Sequence, residues 1–321
     1  MRFFLLILIT LSSSFTACAS RTLTNCTAAR GDIAGKIQRG CVVTDNSART
    51  YQLYIPKNLD HSQPTRLLLA LHGGGEKPKS FRRYSQLETE MKKSDTTFII
   101  VYPTGFKKHW NDGRQNSYED KNDLLFLADL IVHLKDTVTL NISSTFIAGM
   151  SNGALMANSF ACHRPDLIHG VATVAGTMSY PDAKACQTGK PLPSLVIFGN
   201  KDTTFLNSNI MVNPINPSKQ IGRHIGIANT LSTWKKRNNC TEPANILGPL
   251  NPVKNDHTSY KITLFDKCLA PVKYIEIIGG GHRWADPTAK NGWLIVKKLN
   301  LGYASHDISA AKGILEFFKQ F

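Results

Sequence analysis

Residues 144–162 read STFIAGMSNGALMANSFAC, and their periodicity changes at one point. Residues 144–148 (STFIA) form a short apolar, β-branched run, which suits a buried strand. Residues 152–162 set Leu155, Met156, Ser159 and Phe160 at helical spacing. Between the two runs stands Gly149-Met150-Ser151-Asn152-Gly153, a Gly-x-Ser-x-Gly pattern. Alone, the pattern is weak, because Gly and Ser are common residues and a glycine turn with a surface serine reads the same way. Between a strand and a helix, it predicts a sharp turn that lifts the serine hydroxyl above a sheet. Such a serine sits at strained backbone angles. Side chains at Gly149 or Gly153 would collide with neighbouring backbone.

Three further apolar runs extend the reading in both directions. Residues 67–71 (LLLAL) suit a central parallel strand and end directly in His72-Gly73-Gly74-Gly75. Backbone amides at such a turn can face a developing oxyanion, beside the amide of Asn152. Gly74 is the first candidate donor and Gly75 the second. His72 is expected to hold this loop through hydrogen bonds. Residues 194–198 (SLVIF) precede Gly199-Asn200-Lys201-Asp202, so Asp202 falls just past a strand's carboxyl end, where open α/β sheets place their sites. Residues 274–278 (YIEII) lead into Gly279-Gly280-Gly281-His282, a histidine on a glycine turn. Ser151 as nucleophile, Asp202 as the acid that orients the base, and His282 as the base follow the chain order of an α/β-hydrolase. Asp256, Asp266 and Asp286 are the rival acids.

The remainder fits a mostly parallel central sheet with helices on both faces, because strands alternate with helices. Residues 48–55 alternate like a half-exposed strand, and residues 97–101 (TFIIV) form another core strand. Residues 124–134 and 224–238 carry helical periodicity, and residues 168–174 return to a strand. Residues 307–321 predict a closing amphipathic helix with Ser309 as its N-cap. Residues 20–48 read as a polar, cysteine-held arm. Residues 203–221, rich in Asn and Pro and directly after Asp202, read as a long loop covering the site.

The chain has 321 residues, 42% of them hydrophobic, and a net charge of +15. That length supports one substantial domain over residues 20–321, with a large core. Residues 1–19 of MRFFLLILITLSSSFTACAS predict a secretory signal cleaved after Ala19. A second reading places a lipid anchor on Cys18. Six cysteines follow: Cys26, Cys41, Cys162, Cys186, Cys240 and Cys268. In an exported chain they predict disulfides. Six cysteines allow fifteen connectivities, of which the sequential one closes three short loops. No Cys-x-x-Cys spacing points to zinc, and no metal or organic cofactor is expected. The basic residues are scattered without interleaved aromatics, which fits a solvated basic surface and no nucleic-acid partner.

The chain resembles the secreted serine esterases that include polyhydroxybutyrate depolymerases, feruloyl esterases and acetyl xylan esterases. The resemblance rests on RTYQLYIP, LLLALHGGG, FIIVYPTG with HWNDGR, NDLLFL, FIAGMSNGALMA, IFGNKD, TWKKRNNC, GGGHRW and ILEFFKQF, from about Arg49 to Phe321. It implies the same three residues, Ser151, Asp202 and His282, and puts Trp110 and Trp284 near the acyl or alcohol pocket. Ala285 stands where many relatives have proline. The expectation is an exported ester hydrolase acting through an acyl-enzyme, without an obligate protein partner. Its substrate would be a hydroxyalkanoate oligomer or a polysaccharide or phenolic ester. A catalytically dead scaffold that binds a wall or surface polymer is one alternative; a serine peptidase on the same fold is the other.

Overall fold

Strands with no polar face need cover on both sides, and four of the runs above are of that kind. The computed structural model describes residues 26–29, 33–60, 62–95, 97–114, 121–137, 141–207, 209–212, 220–242, 244–291 and 301–321. Its elements are, in order, β1 (Ile37–Thr44), β2 (Ser47–Tyr54), β3 (Thr65–Leu71), α1 (Pro78–Ser85), α2 (Leu87–Lys93), β4 (Phe98–Pro103), α3 (Asp123–Thr137), β5 (Ile142–Met150), α4 (Asn152–His163), β6 (Gly170–Val174), α5 (Tyr180–Ala185), β7 (Ser194–Gly199), β8 (Asn209–Val212), β9 (Gln220–His224), α6 (Gly226–Arg237), β10 (Asn245–Leu250), β11 (Ser259–Phe265), β12 (Val272–Ile278) and α7 (Ala310–Phe318). One ten-stranded sheet runs β1-β2-β4-β3-β5-β6-β7-β12-β11-β10. The six central strands, β4 to β12, are parallel, and both edges are antiparallel. This is the α/β-hydrolase fold.

The alternation of β3 divides the core. Leu67, Leu69 and Leu71 point to the face covered by α3, α4 and α6, where Trp234 is fully buried. Leu68 and Ala70 point to the face covered by α1, α2 and α7, with Phe81, Trp284 and Phe318. Each such leucine contributes roughly 1.5–3 kcal/mol on leaving water. Helix α7 begins as expected, with Ser309 Oγ accepting the Lys312 amide at 3.2 Å. Among the described residues, no helix is long and apolar enough to cross a membrane.

Two expectations need correction. The arm over residues 20–48 contains β1, which pairs antiparallel with β2 through a tight turn at Asp45-Asn46, both with positive φ. The strand escaped notice because its Gly40 and its polar residues blunt the apolar signal, although burial alternates along it. The stretch over 203–221 is not simply a loop, since β8 pairs antiparallel with β9, and β9 includes His224, which had been given to the next helix. Residues 213–219, and the signal and Cys18 readings at the N-terminus, lie outside the described residues.

Three disulfides join Cys26–Cys41, Cys162–Cys186 and Cys240–Cys268, the sequential pairing. The second clamps the end of α4 to the end of α5. Replacing that pair by alanines (C162A/C186A) should lower the unfolding free energy by about 3 kcal/mol, the constraint expected of a loop of this length on the unfolded chain. Urea denaturation under non-reducing conditions measures it. An unchanged midpoint would contradict the clamp.

Candidate active site

Ser151 has φ 54° and ψ −120°, between the last residue of β5 and the first of α4. A non-glycine residue held there costs of the order of 1–3 kcal/mol. The surrounding backbone holds it. The Ser151 amide donates to Val174 O at 3.0 Å, and Ser151 O accepts the Ala154 and Leu155 amides. The flanking glycines are required by contact. A Cβ on Gly149 would stand 2.2 Å from Gly153 O, and one on Gly153 would stand 2.5 Å from both Leu71 O and His72 O. The elbow therefore rests directly on the end of β3.

A second close approach builds the other half of the site. A Cβ on Gly199 would lie 2.4 Å from Gly280 O. The loops after β7 and β12 are stitched together there: Asn200 and Lys201 amides donate to Ile277 O and Gly280 O, and the Gly279 amide donates to Asn200 Oδ1. Asp202 and His282 consequently meet, with His282 Nδ1 2.8 Å from Asp202 Oδ2. The other ring nitrogen, Nε2, lies 2.9 Å from Ser151 Oγ. Asp202 is fully buried, and its second oxygen accepts the Thr204 and Phe205 amides. Phe205 packs on the His282 ring, with centroids 5.5 Å apart. The rival acids are engaged elsewhere: Asp256 with Thr258 and His306, Asp266 with Asn245, and Asp286 with Thr288.

The glycine loop sorts its own amides. Gly75 N donates to Lys108 O at 2.9 Å, and Gly73 N to Glu76 Oε2 at 3.2 Å. The amides of Gly74 and Asn152 donate to no protein atom among the described residues. A Cβ on Gly74 would lie 3.5 Å from the Asn152 Cβ, so the two free donors are neighbours. His72 holds the loop. Its Nδ1–H donates to Gly73 O at 2.9 Å, and its Nε2 accepts the Gly105 amide at 3.0 Å.

A buried polar brace that sequence reasoning did not identify stands behind Asn152. The Asn152 side chain accepts the Trp110 amide at 2.8 Å and donates to Trp110 O and to Asp112 Oδ2. Asp112, fully buried, is gripped by Arg114 through Nε and a second guanidinium nitrogen. The stretch HWNDGR carried these residues in view, but nothing in it named a partner forty positions away.

A cleft of about 340 Å³ opens over Ser151 and His282, bounded by Gly73, Gly74, Glu76, Tyr84, Met150, Arg283 and Leu301. Burial raises the Glu76 carboxyl above its ordinary range, against the opposing pull of the Gly73 amide and His282. Trp110 and Trp284 are both fully buried, and neither lines this cleft. The Trp110 indole N–H donates to His72 O, and Trp284 packs edge-on against Phe81 while its amide donates to the Tyr84 hydroxyl. Both indoles thus support the residues that form the cleft. Among the described residues, no three His, Cys, Asp or Glu side chains converge as metal ligands would.

Comparison with known proteins gives three informative matches. The chain is 28% identical over 167 residues to NocK of Nocardia uniformis subsp. tsuyamanensis, a protein named as an esterase; the match covers 50% of this chain and 47% of that one. It is 25% identical over 242 residues to a protein named as feruloyl esterase C of Aspergillus niger, covering 73% of this chain and 76% of the other. Its fold matches that of the acetyl xylan esterase from Aspergillus awamori with a TM-score of 0.57 at 17% identity, covering 83% of this chain and all of that one. No protein-family model matches the chain.

Burial pushes the His72 ring down to about 4, from near 6.5 in an unfolded chain. The unfolded state therefore binds the extra proton between those values. The contribution is whole above pH 6.5 and is lost as pH falls toward 4, by about 3 kcal/mol. Urea midpoints across pH 4–7 should fall less steeply for His72→Asn than for the wild type. Parallel pH profiles would refute a buried neutral His72.

Proposed function

We propose that this protein is an exported carboxylic-ester hydrolase that works through an acyl-enzyme on Ser151. The observation that carries the reading is the continuous chain from Ser151 Oγ to His282 Nε2 at 2.9 Å and from His282 Nδ1 to Asp202 Oδ2 at 2.8 Å, with the serine on a strained elbow. Asp202 accepts a hydrogen bond from Nδ1–H, which leaves Nε2 unprotonated and able to take the proton of the Ser151 hydroxyl. The alkoxide attacks the ester carbonyl. The tetrahedral oxyanion rests on the amides of Gly74 and Asn152, and each such donor is typically worth about 3 kcal/mol in the transition state. His282 then protonates the leaving alcohol. Water, deprotonated by the same ring, attacks the acyl-serine and restores the enzyme.

The similarity to proteins named as feruloyl esterase, together with the fold shared with an acetyl xylan esterase, supports an ester of an acetyl or phenolic acyl group on a carbohydrate hydroxyl. Tyr84, Met150, Arg283 and Leu301 are the side chains we assign to substrate contact, with Trp110 and Trp284 as the packing behind them. The three disulfides support an oxidising compartment.

Ser151→Ala should reduce ester turnover by more than a thousandfold and abolish labelling by a fluorophosphonate, with an unchanged circular dichroism melt. Turnover above about a tenth of wild type, a loss of only ~1.4 kcal/mol, would mean a different nucleophile. Asp202→Asn should cost about four orders of magnitude near neutral pH while the folded protein still binds substrate analogues. A near-normal rate in that variant, with collapse in Asp256→Asn or Asp266→Asn, would transfer the acid's role. A panel of hydroxybutyrate oligomers, feruloyl esters, acetylated xylan and matched amides identifies the scissile bond. Preference for the amides would favour a peptidase.

A further inference from the structure

A cleft of about 660 Å³ is separate from the one over Ser151. Its walls are the β1–β2 edge, the segment 77–79 at the start of α1, and the segment 104–108. Five cationic side chains surround it: Arg39, Lys77, Lys79, Lys107 and Lys108. No acidic residue lines it. All five are exposed, and none has an ion-pair partner among the described residues. Like charges held close together repel, so gathering five without a counter-charge disfavours the folded state unless an anion joins them.

Backbone geometry adds a second, independent observation. Lys107 and Lys108 both lie in the left-handed region, with φ 46° and 68°, in the tight turn closed by the Phe106–His109 bridge. Turns of that kind strongly prefer Asn and Gly at these two positions. Here two lysines occupy them, and strain kept in this way clusters at functional sites. The turn is also joined to the reacting centre. Lys108 O accepts the Gly75 amide, next to the Gly74 donor, and Lys77 follows three residues after Gly74, within about 11 Å of chain. Lys77 is the N-cap of α1 and makes no side-chain cap bond, so the positive end of the helix adjoins the same cleft.

We infer that this cleft is a subsite for the negatively charged chain of the ester substrate, an oligomer that carries a carboxylate on successive units, such as an acidic polysaccharide bearing acyl esters. The inference rests on the ester-hydrolase reading above. The cations come from three separate segments that wall the cleft, at Arg39, Lys77–Lys79 and Lys107–Lys108, which suits charge repeated along a chain.

The test uses the full secreted protein in two arms. In the first, oligogalacturonate and neutral xylo-oligosaccharides of equal length are titrated into Ser151→Ala by calorimetry. Oligogalacturonate should bind, and its Kd should rise several-fold between 50 and 200 mM NaCl, because exposed charge pairs are screened. The triple variant Arg39→Gln, Lys79→Gln, Lys107→Gln should weaken it by about tenfold, and the neutral oligomer should bind no better than in buffer controls. In the second arm, kcat/KM is measured for acetylated oligogalacturonate and acetylated xylan, and their ratio should fall by a similar factor in the triple variant. Hydrolysis of acetylated xylan with no oligogalacturonate binding, or with binding indifferent to the triple variant, overturns the subsite and leaves the esterase standing. Salt-dependent binding with no turnover of any ester overturns the esterase and leaves an anion-binding cleft. Circular dichroism melts of the triple variant verify that it is folded.

Discussion

Backbone packed directly on backbone at two glycine contacts is the constraint on which the site depends. At the first, Gly149 and Gly153 let the elbow settle against the end of β3, which holds Ser151 at a φ that ordinary residues avoid. At the second, Gly199 and Gly280 let the loops after β7 and β12 touch, which brings Asp202 under His282. Neither contact leaves room for a single methyl group. The parallel register of β5, β3, β7 and β12 then sets Ser151, Asp202 and His282 at one end of the sheet. The cost of the strained serine is offset by the hydrophobic burial of those strands on both faces.

The amides around Ser151 are sorted by their hydrogen bonds. Gly73 and Gly75 have partners within the loop and the adjoining turn; the Gly74 and Asn152 amides have none among the described residues, and the two residues are neighbours. A free donor at such a place is preorganised for charge that develops during reaction, since it need not break an existing bond first. The brace of Trp110, Asp112 and Arg114 fixes Asn152 from behind, and its buried charges are paired, as burial requires. His72 performs the same service for the glycine loop, kept neutral by its burial.

Scattered basic residues suggested a solvated surface when they were met in chain order. In the fold, Arg39, Lys77, Lys79, Lys107 and Lys108 share one cleft, because the Thr104 amide pairs with Thr50 O and carries the lysine turn to the edge of β2, next to β1. The same hydrogen bonding ties that turn to the glycine loop. The proposed cationic subsite is therefore joined by backbone hydrogen bonding to the glycine loop beside Ser151.

The fold class and the strand-end positions of Ser151, Asp202 and His282 were legible in the amino-acid sequence, because each depends on local grammar: an apolar run, a glycine turn, and a polar residue at the strand's carboxyl end. The sequential disulfide pairing was one of fifteen that the sequence allowed, and the fold selects it. Strand β1 was hidden because Gly40 and its polar residues blunt the apolar signal, although its burial alternates as a strand's does. The burial of Trp110 and Trp284, the brace behind Asn152, the hydrogen bond that occupies the Gly75 amide and the gathering of cations were decided only by tertiary structure. Each is a contact between segments far apart in the chain, where residue type constrains the chemistry of a group but the packing of the sheet selects its neighbour.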